Sequence, residues 1–137
     1  MEPDSRAEIY VIDDQPIDTV IAKLLFKRFD KNLKVHTLEN GKDAIDMLTD
    51  ISRREKLSLP DYIFLDLDMP RFNGWQFLNA YAKAGIDRIK RIPIYILTSS
   101  LNEDDIQRSL SNPFVEDFIS KPLSFENIKS IVHPAGA

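Results

Sequence analysis

Four groups of polar residues follow apolar segments of this 137-residue chain, each at the point where a strand would end. Two groups carry carboxylates, one carries hydroxyls and one carries a lysine. Carboxylates that gather at one place repel one another, which raises at least one pKa unless a cation neutralises them. Oxygen ligands suit a hard ion, and Mg²⁺ is the natural choice. The groups are Asp13 and Asp14, Asp66 and Asp68, Thr98 to Ser100, and Lys121 with Pro122.

A lysine and a hydroxyl beside such an ion could hold an anion that the ion also contacts. Carboxylate, Mg²⁺, lysine and hydroxyl together make a phosphoryl-transfer site, in which a carboxylate is available as the nucleophile. Each group also has an ordinary structural explanation. The acidic pair before Pro16 and the hydroxyls of 98–100 are each typical of a helix cap, the segment 66–70 of a turn, and Lys121-Pro122 of a loop entry. Because all four groups would have to meet at one edge by chance, the pattern favours a site.

Repeated βα units must position these residues. Five short apolar segments alternate with stretches at helical spacing, which predicts an open parallel sheet wrapped on both faces. Three segments are almost entirely apolar, as expected for covered parallel strands, whereas the second alternates and is expected at an edge. Ligands of such sheets bind beyond the carboxyl ends of the strands. The predicted strands are 9–12, 33–38, 62–65, 92–97 and 115–119.

Five helices are predicted between and after the strands. The first, about 16–29, carries an apolar stripe, the pattern of a helix packed on a core. Asn40 is the predicted N-cap of the second, the third begins near Asn73-Gly74, and the fifth spans about 124–132. The stripe of the first helix consists of Ile17, Val20, Ile21, Leu24 and Leu25, and the inward residues of the second and third are Ala44, Ile45, Leu48, Ile51, Phe77, Leu78 and Tyr81.

The fourth helix is predicted to begin at a capping box, in which Ser100 and Glu103 satisfy each other's exposed amides. Asn112-Pro113 ends it. Only Ile106 and Leu110 stand at core spacing, so this helix should be the least firmly anchored element.

Composition narrows the function classes. The length predicts one domain, with tails at 1–6 and 133–137. The absence of cysteine excludes thiolate sites and is expected of a cytoplasmic chain, and no apolar run reaches the ~18 residues of a membrane span. A net charge of −4 argues against direct binding of nucleic acid. No two of the four glycines form a GxG, which excludes dinucleotide fingerprints and P-loops.

In these residues the chain resembles the receiver domains of bacterial two-component response regulators, over residues 7–132. Because no other module is evident, it is most similar to the stand-alone receivers, such as the chemotaxis regulators. The matching motifs are Asp13-Asp14, the segment 66–70, Gly74 eight residues after Asp66, Thr98 and Lys121-Pro122. The resemblance implies a flavodoxin-like, doubly wound α/β fold with strand order 2-1-3-4-5 and five helices.

The resemblance also implies roles for the site residues. Asp66 would accept a phosphoryl group from a phosphohistidine on a sensor histidine kinase or a phosphotransfer protein. Asp14, Asp66 and the backbone carbonyl of Asp68 would ligate Mg²⁺, and Asp13 would hold it through water. Lys121 would bind a phosphoryl oxygen, its bond to Pro122 being cis. The chain would catalyse only its own phosphorylation and hydrolysis.

Thr98 would move to bond the phosphoryl group, and Phe118 matches the aromatic switch position of the family. The fourth helix, fifth strand and fifth helix would then bind an unknown downstream protein, and the sequence leaves open whether a second copy of the chain also binds. Phe118 has no hydroxyl, so a switch there must work by repacking alone. Asp68 and Ser100 occupy positions that influence the phosphoryl lifetime in the family, and we hypothesise that Asp68 alters hydrolysis.

Two other functions compete with this interpretation. Asp66-Leu67-Asp68 after an apolar strand is the nucleophile pattern of haloacid dehalogenase-type phosphatases, although their nucleophile strand normally comes first. A receiver-like module that works without phosphorylation is the second alternative. A flavodoxin-like cofactor carrier is discarded, because carboxylates after the first strand would repel a flavin phosphate. Trp75 is expected to pack, and His36, His133 and the segment 53–56 carry no site pattern.

Overall fold

The computed structural model describes residues 7–99 and 102–132, so the predicted tails, Ser100 and His133 lie outside the described residues. Strands and helices alternate as predicted. The elements are β1 (Glu8–Ile12), α1 (Pro16–Phe29), β2 (Lys34–Leu38), α2 (Gly41–Arg54), β3 (Tyr62–Asp66), α3 (Gly74–Ala84), β4 (Ile94–Thr98), α4 (Glu103–Leu110), β5 (Val115–Ser120) and α5 (Phe125–Ile131), with 3₁₀ turns at Lys56–Ser58 and Ile86–Arg88.

The five strands form one parallel sheet in the order β2-β1-β3-β4-β5, which confirms the flavodoxin-like fold. β2 is an edge strand, as its alternating pattern predicts. β1 and β3 are neighbours near the middle of the sheet. Side chains that follow these two strands therefore meet at the centre of the carboxyl edge, with the residues after β4 and β5 on one side of them.

Two apolar cores lie on opposite faces of the sheet, and the side chains of β1 alternate between them. Tyr10 and Ile12 join the core beneath α2 and α3, whereas Ile9 and Val11 join the core beneath α1 and α5. Burial of each large side chain contributes about 1.5–3 kcal/mol, so both faces stabilise the strands that carry the acidic residues. No helix among the described residues is long and apolar enough to cross a membrane.

Three of the predicted helix starts are confirmed by their caps. The side chain of Asn40 accepts hydrogen bonds from the amides of Lys42 and Asp43 at the start of α2. Asn73 and Ser124 each form a capping box, at the starts of α3 and α5 respectively. The predicted inward residues of α2 and α3 are buried, apart from the half-buried Ile51.

The predicted core face of α1 is wrong for four of its five residues, and only Leu25 packs against the second core. Ile17 and Leu24 are 64% and 65% exposed, and Val20 and Ile21 are also largely exposed. The helix buries its opposite side, where Ala22 and Phe26 join the second core. α1 is apolar on both sides, so spacing alone could not decide which side packs on the sheet.

The start of α4 also differs from the prediction. The helix begins at Glu103, and its N-cap is Asn102, whose side chain accepts hydrogen bonds from the amides of Asp104 and Asp105. Asn102 takes the place predicted for Ser100 because its side-chain oxygen reaches these two free amides. Leu110 is 45% exposed, and Ser109 is the one buried residue in the helix. α4 is thus even less anchored by apolar contacts than its sequence indicates.

Candidate functional site

Three carboxylates meet at the carboxyl edge of the sheet. Asp13 and Asp14 follow β1, and Asp66 is the last residue of β3. One ligand oxygen from each lies within 4.8 Å of those of the other two. Asp13 and Asp66 are almost fully buried. The predicted convergence of these acids is confirmed, and it results from the parallel pairing of β1 with β3.

The three acids fit a divalent cation. Oδ1 of Asp14 is buried and accepts no hydrogen bond from any residue that the structure describes. A buried carboxylate oxygen without a donor is costly unless a cation or water satisfies it. The donor set consists of oxygens alone, which favours a hard ion. Asp13, Asp14 and Asp66 are the residues that could hold the cation.

Asp66 is held in a position that disfavours its charge. Burial is the main cause that raises its pKa, and the charge of Asp13 adds to it. The backbone amide of Asp68, which donates to Oδ1 at 3.1 Å, and the ammonium of Lys121 act in the opposite direction. The result is a pKa of about 6. A carboxylate that is short of stabilising partners is available to a cation or an electrophile.

Lys121 supplies the positive charge of the site. It follows β5, and its Nζ lies 2.8 Å from Oδ2 of Asp13 and 3.5 Å from Oδ2 of Asp66. Its bond to Pro122 is cis, as the resemblance implies, and its amide donates to the carbonyl of Thr98 at 2.8 Å. Partial burial alone would lower the pKa of Lys121, but its bonds to Asp13 and the nearby carboxylates raise it. The ammonium therefore stays charged beside Asp66.

The pocket above Asp66 is open to solvent. Asp68, whose side chain is exposed, lies on its wall together with Ser99. Thr98 is buried at the end of β4, one residue after the strand partner of Asp66. Phe118 is half-buried and packs against the core beneath α2 and α3. All the predicted site residues thus lie at the carboxyl edge or, for Phe118, on the neighbouring strand β5.

Gly74 allows the loop after β3 to hold Asp66 in place. A Cβ on Gly74 would lie 2.9 Å from the carbonyl oxygen of Asp66 and 2.8 Å from a side-chain carbon of Leu67. The start of α3 therefore packs directly on the backbone that follows Asp66. The amide of Gly74 also donates to the carbonyl of Leu67 at 3.1 Å. Only glycine fits this approach without a shift of the loop.

Sequence reasoning missed Asp18 at this site and a contact between α4 and α3. Asp18 of α1 accepts a hydrogen bond from Lys121 at 3.1 Å, and its position one turn after Asp14 is the signal that could have identified it. Arg108 of α4 lies over the ring of Trp75, 4.1 Å from its centre. Trp75 packs against the core as predicted, but no local sequence pattern indicates that it also contacts α4.

Comparisons with known proteins agree with this geometry. Residues 9–133 match the family model of the response regulator receiver domain. The probable methanogenesis regulatory protein FilR2 of Methanothrix harundinacea is 30% identical over 132 residues, which are 96% of this chain and 83% of the relative.

Two solved structures extend the likeness. The phosphorylated cyanobacterial phytochrome response regulator RcpA is 28% identical, with a TM-score of 0.72 over 92% of this chain and 88% of that chain. The Mn²⁺-bound response regulator Rcp1 is 25% identical, with a TM-score of 0.75 over 91% of this chain and 93% of that chain. Fold, acidic cluster and family match lead to one conclusion: the chain belongs to the response regulator receiver domains, the phosphoacceptors of two-component signalling.

Proposed function

We propose that Asp66 is the phosphoacceptor of this receiver domain and that its donor is a phosphohistidine. The observation that carries the proposal is the position of the Asp66 carboxylate, buried between two acids and one ammonium. In the proposed step, a carboxylate oxygen of Asp66 forms a bond to phosphorus and the phosphorus–nitrogen bond of the donor breaks. The donor imidazole keeps the electron pair of that bond, and Asp66 becomes an acyl phosphate.

The proposed cation is Mg²⁺. Asp14, Asp66 and the backbone carbonyl of Asp68 would ligate it, and Asp13 would hold it through water. The unsatisfied Oδ1 of Asp14 supports this assignment. When bound, the ion neutralises charge on the transferring group.

Lys121 is proposed to bind a phosphoryl oxygen. Its ammonium lies 3.5 Å from Asp66, so a group bonded to that carboxylate would lie within its reach. Thr98 is proposed to turn its hydroxyl toward the same group, from the end of the neighbouring strand. A fixed positive charge in a buried site stabilises developing negative charge better than water does, because it needs no reorganisation.

The proposed switch surface comprises α4, β5 and α5. Movement of Thr98 would leave space beside Phe118, whose ring can respond only by repacking because it carries no hydroxyl. The weak anchoring of α4, with Ser109 as its one buried residue, supports its role as the element that shifts. A downstream protein would recognise this surface, and a second copy of the chain is an alternative occupant.

The donor is proposed to dock on α1. A phosphohistidine must enter the pocket above Asp66, so its protein has to cover the rim of that pocket. α1 lies on this rim, because Asp18 lines the pocket. The exposed stripe of α1, formed by Ile17, Val20, Ile21 and Leu24, offers an apolar surface of the kind that protein partners cover.

We infer that the functional unit is residues 7–132 acting as a single receiver. The coverage of FilR2 over 83% of its length supports this inference, since little of that relative lies outside the match. The proposed partner is a sensor histidine kinase or a phosphotransfer protein. The proposal includes a cytoplasmic location, because kinases draw their phosphoryl groups from cytoplasmic ATP.

The intact mass of the protein after incubation with acetyl phosphate tests the acceptor. We expect one phosphoryl adduct that requires Mg²⁺ and is absent from Asp66→Asn. Asp46→Asn is the matched control, because Asp46 is an exposed carboxylate paired with a lysine on α2. An adduct on Asp66→Asn, or one formed equally well in EDTA, would contradict the proposal.

We also propose that the chain is not a phosphatase. Hydrolysis of p-nitrophenyl phosphate separates the two alternatives, because its phenolate leaving group needs no acid: a receiver should not turn this phosphomonoester over many times, whereas a haloacid dehalogenase-type phosphatase with Asp66 and Asp68 at its centre should. Sustained turnover that disappears in Asp66→Asn would favour the phosphatase alternative instead.

A further inference from the structure

The ammonium of Lys121 is shared among three carboxylates. It lies 2.8 Å from Asp13, 3.1 Å from Asp18 and 3.5 Å from Asp66. An ammonium has three N–H donors. The two shortest contacts go to Asp13 and Asp18, so the proposed acceptor is the most distant of the three partners.

The third donor faces Asp66, but the short contacts with Asp13 and Asp18 hold the ammonium back, so a phosphoryl oxygen on Asp66 could draw it closer only by lengthening one of them. The side chain of Lys121 is 17% exposed, so water has little access to it. Its hydrogen bonds to acids cannot be replaced by water without cost. Competition between the phosphoryl oxygens and the existing acids then affects how firmly the phosphoryl group is held.

Asp18 is the partner that can release the lysine. Asp13 is 1% exposed, and its other oxygen accepts the amide of Gln15 at 2.9 Å, so it is fixed within the fold. Asp18 is 39% exposed at the rim of the pocket, where water can hydrate its carboxylate after release. Its backbone is held by α1, because its amide donates to the carbonyl of Gln15.

We propose that Asp18 is a positioning residue that retains Lys121 in the unphosphorylated state and competes with the phosphoryl group for it. This inference rests on the proposed function, since it concerns the phosphoryl group on Asp66. Asp18 acts through Lys121 alone and touches no reacting atom. Because Asp18 also lies on α1, a donor that covers this helix would shield it from water and change the competition.

The equilibrium affinity for beryllofluoride in the presence of Mg²⁺ measures this competition, because beryllofluoride mimics the phosphoryl group. We expect Asp18→Asn to bind it about two- to fivefold more tightly, the range for a partly exposed ion pair. Asp18→Glu should remain close to the native affinity. Asp46→Asn, which removes an exposed carboxylate paired with Lys42, should also leave the affinity unchanged. Calorimetry provides the measurement.

A double-mutant cycle separates action through Lys121 from simple charge repulsion. In the Lys121→Ala background, the gain in beryllofluoride affinity from Asp18→Asn should be less than half of the gain in the native background. An equal gain in both backgrounds would overturn the proposal, because Asp18 would then act directly on the anion. Unchanged affinity of Asp18→Asn in the native background would overturn it as well.

The nitrogen resonance of the Lys121 ammonium gives a second measurement that needs neither phosphoryl group nor metal. In the metal-free protein the hydrogen-bonded ammonium should be detectable, and Asp18→Asn should speed its proton exchange severalfold. Unaltered exchange would contradict the contact. If the native chain forms no adduct with acetyl phosphate, the proposed function fails and this inference fails with it. If the adduct forms but Asp18→Asn leaves the affinity for beryllofluoride unchanged, only this inference is overturned.

Discussion

Among single residues, Asp66 carries a charge that the fold disfavours. Burial, with the charge of Asp13, raises its pKa from 3.8 to about 6. Because the pKa of the folded state exceeds that of the unfolded state, the folded protein binds the proton more tightly. The contribution of Asp66 to stability is thus fully present below about pH 4 and is lost as the pH rises through about 6.

Asp66→Asn should therefore stabilise the metal-free protein at pH 7.5. The expected gain in the free energy of unfolding is about 1–3 kcal/mol, and it should largely disappear at pH 4. Urea unfolding at the two pH values measures both quantities. Asp46→Asn, on the exposed face of α2, should change stability by less than about 0.5 kcal/mol. A variant as stable as the native chain at pH 7.5 would show that the charge of Asp66 is not disfavoured.

Asp68 places an exposed carboxylate on the wall of the same pocket. If this carboxylate orients the attacking water, Asp68→Asn should slow hydrolysis of the acyl phosphate about threefold to tenfold. If the carboxylate instead repels the water, the variant should hydrolyse the acyl phosphate faster by a similar factor. Decay of the intact-mass adduct gives the rate. An unchanged rate would mean that Asp68 has no part in hydrolysis.

Among the elements, helix starts were predictable where their signals are local. Asn40, Asn73 and Ser124 cap amides two or three residues away, so their patterns depend on nothing else in the fold. In the segment before α4, Ser100 and Asn102 are both suitable caps, and sequence spacing could not choose between them. Spacing predicts that the apolar stripe of α1 faces the core, because an exposed apolar face and a core face have the same composition.

The contact between α3 and β3 predicts the effect of Gly74→Ala. The added methyl would lie under 3 Å from Leu67 and from the backbone of Asp66. We expect a loss of about 1–3 kcal/mol in the free energy of unfolding, typical of overpacking, with weaker Mg²⁺ binding because the loop moves. Asn79→Ala on the exposed side of α3 is the control and should not destabilise. Native stability in Gly74→Ala would refute the tight approach.

For the whole molecule, sheet topology explains why most of the site could be predicted. Parallel strands bring every carboxyl end to one edge, so residue types after each strand identify the cluster without any side-chain geometry. The acidic pair follows β1 and Asp66 ends β3, which is the order of a receiver and not of a phosphatase whose nucleophile strand comes first. The contacts of Lys121 with Asp18 and of Arg108 with Trp75 join residues from distant elements. Neither the hydrophobic periodicity of the sequence nor a helix-cap pattern predicts these two contacts.

Binding of Mg²⁺ at the carboxyl edge of the sheet should stabilise the whole fold against unfolding. Mg²⁺ at tenfold excess over its dissociation constant should add about 1.4 kcal/mol at pH 7.5, or roughly 3–8 °C in the unfolding temperature. At pH 5 the gain should be much smaller, because the pKa of Asp66 is about 6 and the ion must displace its proton. Thermal unfolding with and without Mg²⁺ measures the difference. Asp14→Asn should lose the stabilisation by Mg²⁺, and the control Asp46→Asn should keep it. Equal stabilisation at both pH values would place the ion away from Asp66.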